Sequence, residues 1–220
     1  MSTLFSGIPR ELVKDSGGLY EVYITELHNV PETGVTINYS GGTAHFITAA
    51  GVWKRFTLGK EAGSDLVITT TNNLTNGTTE TDTVLKMIFK RNQISKRNEA
   101  RILSANEMVV VICDNASPIT TTGDTSVGNT YVIGLQYGVN QGGAELRTNV
   151  SSTGAQFADS NNMTVTIGCK ETHVPFGIST ACLLAIRSGA AVTGGNFMLK
   201  RNEYVDQGAY KTEHKNPVNK

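Results

Sequence analysis

Four acidic side chains near a predicted hairpin are the residues whose types and spacing could carry out hydrolysis. They are Glu61, Asp65, Glu80 and Asp82, which could converge near the base of that hairpin. Two carboxyl groups held close together can act as general acid and general base on a bound substrate. Charged residues beside turns are more commonly solvated surface groups, and we favour that interpretation over an acid pair.

No other group in the sequence matches a catalytic or ligand-binding pattern. The chain has no Gly-x-Gly-x-x-Gly or phosphate-binding loop, no His-Glu-x-x-His and no Gly-x-Ser-x-Gly. Its four histidines share no metal-ligand spacing; they are His28, His45, His173 and His214. We therefore expect a protein that is not an enzyme and that holds neither a metal nor a cofactor.

The cysteines and the N-terminus indicate a reducing compartment. Cys113, Cys169 and Cys182 show neither a metal-ligand spacing nor an even disulfide framework, and the first two lie in strand-like runs. We expect buried free thiols there. Residues 1–6 lack a basic region, so we expect no secretory signal. No apolar run approaches the ~20 residues of a membrane span, so we expect no membrane association.

The overall composition favours exposed strands and disfavours a dedicated nucleic-acid binder. Of 220 residues, 39% are hydrophobic and only 17% are charged, so Thr, Asn, Ser and Gly must cover much of the surface. Lys plus Arg and Asp plus Glu both number 19. A nucleic-acid binder normally carries a basic excess that replaces the counterions of phosphate. Zero net charge also gives little repulsion between copies, which permits self-association.

A strand–helix–strand unit is the predicted centre of the fold. Residues 83–90 mix apolar and basic residues with β-formers and contain no glycine or proline, which indicates a strand. Ser95 is suited to cap a short helix at about 95–106. Residues 108–113 are six consecutive apolar residues, typical of a strand covered on both faces.

The remaining pattern predicts an antiparallel β-sandwich or barrel with that one flanking helix. A polar loop is expected over 115–129, and a long connection rich in glycine, serine and asparagine over 138–161. The last segments expected to be ordered are 181–187 and 196–200. We divide the chain into an N-terminal arm (1–19), a single domain (20–200) and a polar C-terminal tail (201–220). The predicted strands lie within 20–27, 35–40, 43–49, 52–58, 65–70, 83–90, 108–113, 130–137 and 162–170.

A long hairpin over 65–90 is predicted to project beyond the core. Its central part, 71–82, contains Leu74 as its only core-type residue. Asn76-Gly77 favours a type I′ turn, because both positions tolerate a positive φ angle. An ordinary surface loop is the alternative interpretation.

The order of these features resembles the tail tube proteins of long-tailed bacteriophages, particularly the divergent ones from phages of Bacteroidetes hosts. The resemblance covers roughly residues 65–175. It is carried by the hairpin 65–90, the strand–helix–strand 83–113, the run Tyr-Val-Ile-Gly-Leu-Gln-Tyr-Gly at 131–138, and the loop that leads from Phe157 into the alternating strand ending at Glu171.

The resemblance implies a virion structural protein that is assembled in the host cytoplasm. Its subunits would form a ring, expected to be a hexamer, and the rings would stack into a tube. Other tail proteins and DNA would be partners, with the DNA passing through without specific binding. The hairpin would contact the next ring through Thr71, Asn72, Asn73, Leu74, Thr75, Asn76, Gly77 and Thr78.

A neutral strand face rich in Thr and Asn would suit the wall of a DNA conduit, which should not bind phosphate tightly. Two polar faces are candidates for this wall, and an ordinary solvated sheet face is the alternative for both. They are Thr164, Thr166 and Lys170, and Thr36, Asn38 and Ser40.

Two other classes of function remain open. One is a different virion role, as a head–tail ring, capsid decoration or fibre protein. The other is a glycan-binding β-sandwich, whose exposed aromatic residues would have to be Trp53, Tyr131 or Tyr137. An enzyme is the class that we favour least.

Overall fold

The fold is described by a computed structural model. Most of the predicted arm, the whole predicted tail and the 115–129 connection lie outside the described residues. The described residues are 17–30, 35–38, 43–46, 53–59, 63–73, 75, 77–90, 93–114, 130–135, 142–153, 161–178, 180–189 and 191–192.

The described chain is mainly β, as predicted, and contains two short helices. The helices are α1 (Ile94–Leu103) and α2 (Thr180–Gly189). The strands are β1 (Leu19–Glu26), β2 (Val35–Asn38), β3 (Thr43–Phe46), β4 (Lys54–Thr57), β5 (Asp65–Asn73), β6 (Thr78–Lys90), β7 (Met108–Asp114), β8 (Thr130–Ile133), β9 (Glu145–Ser152), β10 (Asn162–Glu171), β11 (Gly177–Ile178) and β12 (Ala191–Val192).

The strands form two main sheets and a small third one. The five-stranded sheet has the order β12-β4-β1-β7-β8, the four-stranded sheet β5-β6-β10-β9, and the small sheet β11-β3-β2. Both main sheets keep separate edge strands, so the predicted sandwich is confirmed and the barrel alternative is wrong. The four-stranded sheet is antiparallel throughout.

The two main sheets bury one shared core. The five-stranded sheet contributes Val22, Phe56, Val110 and Ile112, among others. The facing residues of the four-stranded sheet are Leu85, Met87, Phe89, Met163, Val165, Ile167 and Cys169. They lie two apart along β6 and β10, because alternate side chains of a strand point to the same face.

A second core covers the opposite face of the five-stranded sheet. There Val109, Val111 and Tyr23 pack with Leu183 and Ile186 of α2 and with residues of the small sheet. The four residues 109–112 have no solvent exposure. The prediction that this run is covered on both faces is therefore confirmed.

The second helix is a departure from the predicted single flanking helix. α2 arises from the apolar run at 181–187 and presents Leu183 and Ile186, which lie three apart, to the second core. This run is apolar from Ala181 to Ile186 and therefore shows no clear period, so its sequence pattern does not distinguish a helix from a strand.

Glu21 of β1 is a charged residue that is buried on the side of the five-stranded sheet covered by α2. Glu21 is 2% exposed and accepts a hydrogen bond from Tyr23 Oη at 2.6 Å. It forms an ion pair with Arg55 on β4, and Arg187 Nη2 of α2 lies 3.8 Å from its Oε1. A buried carboxylate needs such cationic partners.

The helix α1 carries the chain from the four-stranded sheet to the five-stranded one. It runs from Ile94 to Leu103, whereas the sequence predicts a helix at about 95–106. Gln93 is the N-cap residue, and the predicted cap from Ser95 is wrong. Ser95 lies inside the first turn, where its buried Oγ has no hydrogen-bond partner among the described residues.

A strand inside the predicted 138–161 connection is the other unexpected element. β9 pairs with β10 from Asn162↔Ser152 to Gly168↔Glu145, and seven of its eight residues, all but Leu146, are exposed. Because β9 lies at the edge of its sheet and buries little, its sequence carries no apolar alternation.

We predict that Val110→Asp lowers the free energy of unfolding by at least ~3 kcal/mol, because it buries an unpaired charge between two layers. Urea unfolding provides the measurement. The same substitution at Val150, which is 60% exposed on β9, is the matched control and should cost under ~1 kcal/mol. Equal stability of the two variants would show that β7 is not the centre of the core.

Candidate self-association surface

The hairpin formed by β5 and β6 extends past the rest of its sheet. The two strands pair from Asp65↔Lys86 to Asn73↔Thr78. On the other side of β6, pairing with β10 stops at Glu171↔Thr81. The last three pairs of the hairpin therefore extend beyond the sheet by roughly 10 Å. This confirms the predicted projection.

The tip of the hairpin does not have the register of the predicted two-residue type I′ turn. A turn at Asn76-Gly77 would pair Thr75 with Thr78, whereas Thr78 pairs with Asn73, the innermost described pair. Thr75 N donates to Asn73 Oδ1 at 3.1 Å, and Gly77 has a φ of 64°. The Asn73 side chain thus forms a local turn that competes with the turn expected at Asn76-Gly77.

Most of the predicted ring-contact residues are exposed on this hairpin. They are Thr71, Asn72, Asn73, Thr75, Gly77 and Thr78. Leu74 and Asn76 lie outside the described residues, so the predicted apolar anchor at the tip has no structural description. The role of these residues in ring contact stays a prediction.

The outer face of the four-stranded sheet is the face that points away from the shared core. It holds Thr164, Thr166 and Lys170 of β10, as the alternation along this strand predicted. Thr164 and Thr166 are half-buried and Lys170 is exposed. These three candidate wall residues therefore share one surface.

The second predicted wall face is not part of this surface. Thr36 and Asn38 belong to β2, in the small sheet, and Ser40 lies outside the described residues. Alternation along a strand places residues on a common face but does not tell which sheet the strand joins.

Two of the four candidate hydrolytic carboxylates are engaged in ion pairs on the outer face. Arg147 binds Asp82 through both terminal nitrogens, with Nη1 3.1 Å from Oδ2. Lys170 Nζ lies 2.6 Å from Glu80 Oε1. The hydrogen bonds from Arg147 lower the pKa of Asp82, which makes this group a poor proton donor. Glu61 lies outside the described residues.

The pair between Arg147 and Asp82 spans β10, which lies between their strands. Thr166 of β10 pairs with Thr148 of β9, and the next residue, Ile167, pairs with Leu146. Arg147 is therefore an extra residue in β9, in a β-bulge. Its side chain lies directly over Gly168, where an added Cβ would come within 1.8 Å of Arg147 Nε. Gly168 therefore leaves the space through which the guanidinium reaches Asp82.

Glu171, at the end of β10, is a buried carboxyl group that the sequence did not indicate. It is 4% exposed, and its Oε1 accepts a hydrogen bond from Gly134 N at 3.0 Å. Its Oε2 has no hydrogen-bond partner among the described residues. Burial raises the pKa of Glu171 to about 7, and the hydrogen bond from Gly134 opposes this shift.

The thiols are free, and burial makes two of them poor nucleophiles. Cys169 is buried, as predicted, whereas Cys113 is half-buried, as is Cys182. Burial raises the pKa of Cys113 and of Cys169 to about 12. Within the described part of the chain, no group of three or more His, Cys, Asp and Glu side chains could hold a metal ion.

No protein-family model matches the chain, and no curated protein or solved structure is significantly similar to it. None of the described helices combines the length and the apolar character needed to cross a membrane. Function must therefore be inferred from the residues and their geometry.

We predict that Gly168→Ala lowers the free energy of unfolding by about 0.5–1 kcal/mol, because the new methyl group displaces Arg147 from Asp82 in a partly exposed ion pair. In an Arg147→Ala background, Gly168→Ala should instead raise the free energy of unfolding. There the alanine meets no guanidinium and removes the entropic cost of a strand glycine, a gain of about 0.5 kcal/mol. Urea unfolding of the four proteins measures the coupling. Equal effects in both backgrounds would disprove the clash.

We also predict a pH dependence of stability that comes from Glu171. Its pKa is higher in the folded than in the unfolded chain, so its contribution to stability is full below about pH 4.5 and is lost as the pH rises towards 7. The loss is on the order of 3 kcal/mol. Thermal unfolding between pH 4.5 and 7 should show this slope in the wild type and not in Glu171→Gln. Glu145→Gln, an exposed control, should keep it.

Proposed function

We propose that the protein is a structural subunit that forms rings and stacks them into a tube, as the resemblance to phage tail tube proteins implies. The observation that carries this proposal is a four-stranded sheet with two open edges and a hairpin that projects from it. Such a sheet offers surfaces for two kinds of contact between copies, side by side and end to end.

The two open edges are suited to pair with each other. Among the described strands, β5 pairs only with β6 and β9 pairs only with β10. They have nine and eight residues, long enough for a stable ladder. Since all pairs in the sheet are antiparallel, β5 and β9 run in opposite directions. Rotation about a ring axis would bring β9 of one copy beside β5 of the next in an antiparallel arrangement.

Pairing of this kind would remove a hazard from the isolated subunit. Exposed edge strands present unpaired amide and carbonyl groups, which promote uncontrolled aggregation. A contact between two different edges closes into a ring when the rotation between copies divides a full turn. Six such sheets would place ~24 strands side by side, and a spacing of ~4.8 Å gives a circumference of roughly 115 Å and a backbone diameter of roughly 37 Å. Such a ring is wide enough for a DNA duplex.

The charges of the outer face suit a wall along which DNA moves. The face carries four acidic and four basic side chains, namely Asp65, Glu80, Asp82 and Glu145, and Lys86, Lys90, Arg147 and Lys170. Arg147 and Lys170 are neutralised by their carboxylate partners. A balanced face of this kind would give little counterion release on contact with phosphate and therefore weak binding.

Glycan binding is less well supported than assembly. Trp53, one of three aromatic residues considered for stacking on a sugar, is 2% exposed and lies in the second core. Tyr131 is half-buried, and Tyr137 lies outside the described residues. Other virion roles would also use open edges, but a hairpin aimed along the strand direction favours stacked rings in a tail tube.

The hairpin provides the test. The structure places Thr81 and Asp82 inside the sheet, so the shortened variant should retain Thr71 and Glu80 and replace residues 72–79 by Asn-Gly. We expect the wild type to form tubes in electron micrographs and this variant to form rings that do not stack. Unchanged thermal unfolding is the control for an intact subunit, because the removed residues bury little surface.

Two results would contradict the proposal in different ways. Long tubes from the shortened variant would place the contact between rings elsewhere. A wild-type protein that sediments as a monomer at micromolar concentration, whatever the salt, would argue against ring formation itself and would direct attention to sugar binding.

A further inference from the structure

A groove between α1 and the five-stranded sheet is left open by the described residues. It has a volume of about 480 Å³, and its apolar part, which we call the helix groove, is formed by Ile24, Phe56, Ile102, Leu103 and Met108. Ile102 is 50% exposed although it lies in this apolar surface. A cavity of this size, between ~300 and ~1,000 Å³, is typical of sites that hold a ligand or a peptide side chain.

Two carboxylates lie at the rim of the helix groove. Glu26 Oε1 accepts a hydrogen bond from Asn106 Nδ2 at 3.2 Å, and Glu26 Oε2 lies 3.5 Å from His28 Nδ1. Glu99, on α1, makes no ion pair with any described residue. The rim also holds Lys54, which offsets one of these two negative charges. An occupant with more than one positive charge would still be attracted by the remaining negative charge.

The described chain ends beside this groove. α2 lies on the second core, on the other face of the five-stranded sheet. From there the chain reaches the sheet edge as β12, which pairs with Lys54 and Arg55 of β4. Lys54 and Phe56 line the groove. Because β12 runs parallel to β4, the position of β4 that follows its last described pair is Phe56, which lines the helix groove.

The sequence that follows β12 has the composition of an occupant. Thr193-Gly194-Gly195 permits a sharp turn, and residues 196–201 read Asn-Phe-Met-Leu-Lys-Arg. In an extended segment Phe197 and Leu199 lie on the same side. The cationic pair Lys200-Arg201 follows directly. Three residues can span up to ~10 Å, which is sufficient to pass around a sheet edge.

We propose that residues 196–201 dock in the helix groove of their own chain. Phe197 and Leu199 fill the apolar part beside Ile102, and the charges of Lys200 and Arg201 face Glu26 and Glu99. The short connection to β12 gives the segment a high effective concentration at its own groove, which favours it over a second copy or a free ligand. The inference does not depend on ring formation.

The test is a double-mutant cycle on the full chain, measured by thermal unfolding. Ile102→Ser alters the groove, and serine resembles isoleucine in helix propensity. Phe197→Ser with Leu199→Ser alters the segment. We expect each change to lower Tm by roughly 4–8 °C and the combination to lower it no further than the larger single effect. Two controls, Met198→Ser on the opposite side of the segment and Val174→Ser at an exposed site elsewhere, should shift Tm by under ~2 °C.

A covalent test assigns the occupant to one chain. With cysteines at positions 102 and 199, mild oxidation should link the two within a single chain, which migrates as a monomer on a denaturing gel. A covalent dimer would assign the groove to the segment of another copy and overturn docking within one chain. Additive Tm shifts, or a segment variant as stable as the wild type, would overturn docking altogether. None of these readouts requires rings or tubes.

Discussion

The structure depends on the burial of β7 on both of its faces. Residues 109–112 alternate between two cores, so neither face can lie against water without exposing valine or isoleucine. At ~25 cal/mol per Å² of apolar surface, this burial requires a layer on each side. The four-stranded sheet supplies one layer, and α2 with the small sheet supplies the other. Because the four-stranded sheet is held through one face, its other face and both of its edges point outward.

The parts of the fold that the sequence predicts are those whose side chains decide their own burial. The valine run of β7 and the alternation of Met163, Val165, Ile167 and Cys169 in β10 predict their positions directly. β9 is different, because it is ordered by the ladder it forms with β10 and not by its own polar residues. Glu21 is different too, since its burial depends on Arg55 and Arg187, which only the folded chain brings near it.

The candidate surface, too, is predictable only where side chains follow the period of their own strand. The period of β10 alone predicts that Thr164, Thr166 and Lys170 share one face, whereas the hydrogen bond between Arg147 and Asp82 joins strands that are distant in sequence. One signal was present in the sequence: Gly168 stands where the alternation calls for a polar side chain, and an isolated glycine in a strand often marks a bulge or a close approach. The hairpin tip was missed because Asn73 offers a turn that competes with the one at Asn76-Gly77.

The bulge at Arg147 has a geometric consequence for any closed assembly. A bulge increases the local twist of a strand, and this one lies in the strand that forms one edge of the four-stranded sheet. The angle between the two edges of a sheet fixes the rotation from one copy to the next, and hence the number of copies in a circle. Where that rotation does not divide a full turn, the same edges produce an open helical ribbon. In a ring built on these edges, subunit number would then be encoded by one extra residue and by the glycine that accommodates its side chain.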